Sequence, residues 1–331
     1  MAGNPTSADE ALAARRGRTV MSGGRHVADS IFQGITGSAA LVVLLLIIGL
    51  FAMLLYRSWP SITANGWSFI FSTDWNPSRG LYGAGVFIAG TAITSIAALV
   101  LATVGAVLVA LFLVEIAPSW LARPIGYMVE LLAAIPSVVY GLWGIYVLGP
   151  FLVTVVGPAL TNTLGRLVPF FNGTPRVTGL LPAIVVLTIM IIPTIMAVSR
   201  DVIAAVPGSQ REGILALGAT RWEMIRIAVL PYARSGVIGG AILGLARAVG
   251  ETLAVTLVIG NRAAIPDSIF APTYTMASVI ANQFQEADGA THRAALLEVA
   301  LVLLVMTFLI NVVARLLVWR VTNGQRAVVM E

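Results

Sequence analysis

Six stretches of this chain stay apolar for about 20 residues or more, the length a helix needs to cross a hydrocarbon layer roughly 30 Å thick. Inside lipid every backbone N–H and C=O must find its partner within the protein. Runs of this length therefore read as transmembrane helices, placed at Ile35–Tyr56, Phe87–Val114, Ile125–Leu148, Leu180–Ser199, Gly236–Gly260 and Leu296–Trp319. The apolar patch Pro150–Leu160 would reach only about 16 Å as a helix, so a periplasmic or re-entrant turn is expected there. The expected fold class is an all-α polytopic membrane protein with six transmembrane helices. A hydrophobic share of 58% against 11% charged residues excludes a soluble globular domain.

Residues 1–30 are small and polar and read as a mobile tail, followed by a membrane domain over 31–320 and a short tail at 321–331. The first apolar run is too long for a cleaved leader and reads as a retained span. Six spans put both ends of the chain on one side. Thirteen arginines fall on that side, against six on the other, so both termini and the polar segment 202–231 are expected in the cytoplasm.

Two absences narrow the chemistry. With no cysteine there is no disulfide, thiolate metal site or cysteine nucleophile. With no lysine, all 20 basic residues being arginine, there is no Walker A loop and hence no ordinary ATP site. His26 and His292 lie in separate polar segments and make a metal pair improbable. No cofactor bound by this chain is expected, and no catalytic triad is visible.

The segment 202–231 interrupts the apolar pattern with good helix formers bounded by Pro207-Gly208 and Pro231. One or two short amphipathic helices are expected, with Ile214, Leu215, Leu217 and Ile225 against Arg211, Glu212, Arg221, Glu223 and Arg226. Gly218 sits where close approach of a partner backbone would be useful.

The fifth span carries the sharpest anomaly. At 100° per residue Gly236, Gly240, Gly244, Arg247 and Glu251 share one face. Small residues at every fourth position permit close helix packing, so the charged pair is expected to point into the bundle. Counted from Ser235, Arg247 comes roughly 18 Å along the helix, near the bilayer midplane, with Glu251 one turn further. A charge there costs about 2.5–3.5 kcal/mol on insertion scales and marks a functional position. A guanidinium fork fits oxyanions, and Glu251 could restrain it or simply neutralise it.

The spacing Glu212-x5-Gly218 with Leu230-Pro231 resembles the signature loop of ABC-importer permeases, with Gly213, Ile214 and Ala228 departing from that pattern. The run Ala246-Arg247-Ala248-Val249-Gly250-Glu251-Thr252, with Trp75-Asn76-Pro77, Glu130 to Gly141 and Ile191-Ile192-Pro193-Thr194, resembles the high-affinity phosphate permeases, PstC-type more than PstA-type, over most of residues 65–320. The resemblance implies a type I importer permease in the bacterial inner membrane that translocates inorganic phosphate by alternating access. It implies a PstA-type permease partner, two PstB-type ATPase subunits holding ATP and Mg, and an external PstS-type phosphate-binding protein. It also implies that Glu212, Gly218, Ala219, Thr220, Trp222 and Pro231 belong to the element that couples to the ATPase; the placing of Arg247 and Glu251 in the substrate pathway rests on their buried charge. Glu130 is expected to make a helix-end or interhelical bond, Pro136 and Pro193 to kink their helices, and Trp59, Trp67, Trp75 and Trp319 to sit in interfacial belts.

Overall fold

The computed structural model describes the backbone of residues 7–328, and side chains from residue 29 to 316 and at 318 and 319. Residues 1–6 and 329–331 of the expected tails lie outside the described residues. The remainder of both tails continues helices, the first helix being Ser7–Asn65 and the last Ala290–Val328. Among the described residues there is no strand, only the isolated bridges Asn76 to Leu81 and Gly260 to Thr273.

The chain divides into two units, Met1–Tyr56 and Arg57–Glu331. The first carries the long helix as far as Tyr56, and its stretch from Ala39 to Leu55 is apolar all round. The second carries the packed core. Among the described residues six helices are long and apolar enough to cross a membrane: Asp29–Asn65, Gly85–Ile116, Ser137–Asn162, Leu180–Ala204, Arg221–Gly250 and Ala290–Leu316. The fourth of these is the axis of the bundle, packed by the second and fifth and burying Leu187, Met190, Ile191 and Ile195.

The third span corrects the sequence expectation. It starts at Ser137, not Ile125, and runs through Pro150–Leu160 instead of turning there. Pro136 has extended geometry and separates the span from a shorter helix, Ser119–Ala133, so it breaks the helix rather than kinking it. The prolines further along are absorbed by wide π turns. Gly149 N–H bonds the carbonyl of Gly144 just before Pro150, and Gly157 N–H bonds that of Leu152 just before Pro158. The same device precedes Pro118, where Ala117 bonds Phe112, and Pro231, where Leu230 bonds Ile225. A proline ring would collide with the carbonyl four residues back, and the wider turn moves that carbonyl out of its path. Pro193 also lies inside a continuous helix, Leu180–Ala204.

A second, smaller core lies on the face opposite the 202–231 segment. It joins Phe69, Trp75 and Phe87 to Tyr274, Met276 and Leu296. Trp75 is therefore a buried core residue and not part of an interfacial belt: it donates from its indole N–H to Gln283 Oε1 at 2.9 Å and meets Phe87 edge-on. Trp59, Trp67 and Trp319 are exposed.

Candidate functional site: a tethered docking segment and a broken fifth span

Between the fourth and fifth spans the chain forms the helix Gly208–Ala216, a turn, and a short helical start at Arg221–Met224. Glu212 and Gly213 lie on the exposed side of the first helix, and Ala219 is half-buried in the turn. Gly218 adopts φ +86°, closing the helix as its N–H bonds Leu215 O at 3.0 Å. A Cβ at that position would meet nothing within 4 Å. Within this chain the glycine is thus required by its left-handed backbone, and the open space beside it leaves room for an approaching partner. Thr220 starts the next helix with a reciprocal cap: its N–H donates to Glu223 Oε2 at 2.7 Å, and its Oγ1 accepts from Glu223 N–H at 3.3 Å. Leu217 and Trp222 remain 84% and 63% exposed on this segment, an apolar surface of the kind that marks a contact site.

Arg211 ties the segment to the bundle. Its Nη2 donates to Glu115 Oε1 at 2.9 Å and to the carbonyl of Ile203 at 2.8 Å, and its Nη1 donates to the carbonyl of Val206. Glu115 sits in the π turn that ends the second span, and Ile203 ends the fourth. Sequence reasoning placed Arg211 among the topology-setting arginines and on the polar side of this segment, and passed over Glu115. The signal was present, since Glu115 is the lone charge in the Gly85–Ile116 run. Nearby, Glu130 accepts from Arg200 Nη1 at 2.7 Å, an interhelical ion pair from the Ser119–Ala133 helix to the fourth span.

The fifth span does not continue to Gly260. It ends at Gly250, Glu251 turns extended with φ −68° and ψ 125°, and a separate helix runs Leu253–Val258. Its glycine face meets the fourth span: a Cβ at Gly236 would collide with Val202, at Gly240 it would come 3.2 Å from Val198 Cβ, and at Gly244 2.7 Å from Ile195 Cδ1. Arg247 is half-buried in the last turn, where a cation complements the unpaired carbonyls of the helix end. Its Nη1 donates to Thr194 Oγ1 over a long 3.5 Å, and Tyr140 lies within its electrostatic reach.

The break corrects the expected geometry of the charged pair. Because Glu251 has left the helix, the four-residue register is lost and the two groups form no ion pair. Glu251 Oε1 instead accepts from Ala254 N–H at 3.4 Å and caps the short second helix. Irregular backbone at this depth exposes peptide groups that can serve a solute. Neither Thr194 nor Tyr140 carries a sequence signal of its own for a place beside Arg247. No cluster of histidines and carboxylates able to hold a metal occurs among the described residues.

Comparison with known proteins adds the lineage. Residues 102–323 match the family described as binding-protein-dependent transport system inner membrane component. The chain is 44% identical over 303 residues to the phosphate transport system permease protein PstC of Pasteurella multocida, covering 91% of this chain and 94% of that one. It is 42% identical over 294 residues to PstC 2 of Mycobacterium tuberculosis, covering 86% and 90%. Among solved structures it superposes on an inward-facing MetNI methionine ABC transporter with TM-score 0.53 at 20% identity, covering 75% of this chain and 99% of that one. A bacterial ABC transporter that imports alginate matches with TM-score 0.51 at 17% identity, covering 86% and 98%.

Proposed function

The chain belongs to the binding-protein-dependent transport system inner membrane components, and on that premise we propose that it is the permease subunit through which an ATP-driven importer moves inorganic phosphate. The observation that carries the substrate is the identity of more than two in five residues with PstC permeases over some nine-tenths of the chain. The geometry supplies the machinery such a subunit needs.

The segment 208–224 is the element that receives the stroke of a partner ATPase. Its exposed Leu217 and Trp222 form the contact, with Glu212, Gly218, Ala219, Thr220 and Pro231 setting its shape. Arg211 passes its displacement to the second and fourth spans at once, through Glu115 and Ile203. A packed bundle responds to such a push by switching between discrete arrangements.

At the other end of the lever, the fourth span carries Thr194 and holds the glycine face of the fifth. Arg247 offers a guanidinium held by one long hydrogen bond and no carboxylate, so its donors can turn to a phosphate oxygen. Weak restraint suits a transit point, where the ion must be able to leave. Both termini face the cytoplasm. ATP and Mg are bound by PstB-type subunits, a PstA-type permease completes the pathway, and a PstS-type protein delivers the ion from outside; this chain holds no nucleotide.

Reconstitution of the full complex in proteoliposomes tests the assignment. ATP-dependent accumulation of radiolabelled phosphate, resistant to excess sulfate, is expected. Uptake blocked equally by sulfate, or accumulation independent of ATP, would overturn it.

A further inference from the structure

We propose that the cavity between Arg176 and Arg262, on the face opposite the docking segment, is an outer waiting site for a tetrahedral oxyanion, received before it passes to the broken fifth span. The inference rests on the transport reading above and adds a second station to it. The cavity measures about 420 Å³, and Arg176, Arg262, Asp267, Ser268, Asn172 and Thr174 supply its polar lining.

Sequence alone leaves these arginines as isolated loop charges, 86 positions apart. The fold brings them to one concavity. Arg176 comes from the connection between the third and fourth spans, and Arg262 follows the turn that ends the Leu253–Val258 helix.

The walls are built in advance of any ligand. Ser268 Oγ donates to Asn172 O at 2.6 Å, and Ile269 N–H donates to Phe170 O at 2.9 Å, locking the two connections together. Gly260 holds φ +87° and Asn261 φ +52°, while Thr273 N–H bonds Ile259 O at 3.2 Å. Arg262 thus leaves a tight, fixed turn.

Charge and protonation identify the ligand class. Among the described residues Arg176, Arg262 and Asp267 take part in no ion pair, so two guanidinium groups and a single carboxylate line the cavity. The surplus is positive, and paired forks match the oxygens of a tetrahedral anion. At neutral pH orthophosphate still carries at least one proton, which it can donate to Asp267, whereas sulfate carries none and meets only repulsion there. Both arginines are exposed, which keeps the attraction modest and sensitive to salt, as a transfer point requires.

The absence of cysteine makes a direct test possible. In the assembled complex, Thr174→Cys is labelled with an impermeant maleimide in the presence and absence of inorganic phosphate. Phosphate is expected to slow labelling, sulfate to do so far less, and the protection to shift to about tenfold higher phosphate in an Arg176→Gln, Arg262→Gln background. Adding Asp267→Asn should bring sulfate protection up to that of phosphate.

The same double variant should lower uptake at limiting phosphate while docking of the external binding protein, read by co-purification, is unchanged. Weakened docking would mean that the arginines hold acidic side chains of that protein, and would overturn the proposal. So would phosphate protection that survives the double substitution. Failure of the transport reading is told apart by the unsubstituted complex, which would then show no phosphate uptake at all.

Discussion

At the residue scale, the informative groups are those whose partners are fewer or stranger than their burial would suggest. Arg247 is half-buried within the membrane-spanning bundle and holds only a 3.5 Å bond to Thr194. Arg247→Gln therefore removes little that stabilises the fold, and the protein should reach the membrane in normal amount. Phosphate uptake should fall by at least roughly tenfold, a loss equivalent to one charge-assisted contact. Normal uptake by this variant would leave the arginine a packing role only. Glu251 presents the opposite case, since its carboxylate caps the helix Leu253–Val258. Glu251→Ala should cost about 1 kcal/mol of stability through the lost cap, seen as a lower melting temperature of the detergent-purified protein. Gly218 has open space around it but a left-handed backbone. Gly218→Ala should cost about 1–2 kcal/mol locally and Gly218→Asn less, because asparagine tolerates that conformation. Equal uptake defects from the two would move the explanation from the backbone to a contact with the ATPase.

At the scale of elements, the tie between the docking segment and the spans gives an asymmetric prediction. Removing Glu115 leaves Arg211 bonded to the carbonyls of Ile203 and Val206, whereas removing Arg211 strands a carboxylate that is only 6% exposed. Breaking a buried pair from the side that leaves an uncompensated charge costs about 3–5 kcal/mol. Arg211→Met should therefore disrupt assembly or uptake more than Glu115→Gln, and complexes that do assemble with Arg211→Met should hydrolyse ATP with little uptake. Equal phenotypes would show that the two residues act only as a pair. Much of this level was legible beforehand: the number of spans, the presence of short helices in segment 202–231 and the face shared by Gly236, Gly240 and Gly244 all follow from apolar length and helical period. The start of the third span and the end of the fifth did not. Both are decided by backbone events with weak sequence signatures. A proline can end a helix, as Pro136 does, or ride through it on a π turn, as Pro150 and Pro158 do, and local composition does not distinguish these outcomes. The run Gly250-Glu251-Thr252 is not a strong breaker by composition, yet capping by Glu251 and packing of Leu253–Val258 on the start of the third span hold it open. The cavity between Arg176 and Arg262 was invisible for a simpler reason, that its walls are distant in sequence.

For the whole molecule, the direction of transport depends on which face meets the cytoplasm, and that assignment rests on charge. The face bearing the docking segment collects thirteen arginines when the two tails are counted with it, including Arg200, Arg211, Arg221, Arg226 and Arg234 in one short stretch, while the three opposite connections carry two each. Lipid insertion reads that imbalance. On the proposed function the polar segment with its exposed Leu217 and Trp222 meets the ATPase, and the compact core of Phe69, Trp75, Phe87 and Met276 lies towards the opposite face. Because the chain contains no cysteine, single substitutions report orientation against a silent background. Asn162→Cys and Gln285→Cys lie at exposed positions on one face, and Ser209→Cys lies at an exposed position on the other. In intact cells an impermeant maleimide should label the first two and spare Ser209→Cys until the membrane is permeabilised. The reverse pattern would turn the subunit over, placing Leu217 and Trp222 out of reach of any cytoplasmic ATPase and opening the Arg176 cavity inward, where it could receive no ion from outside.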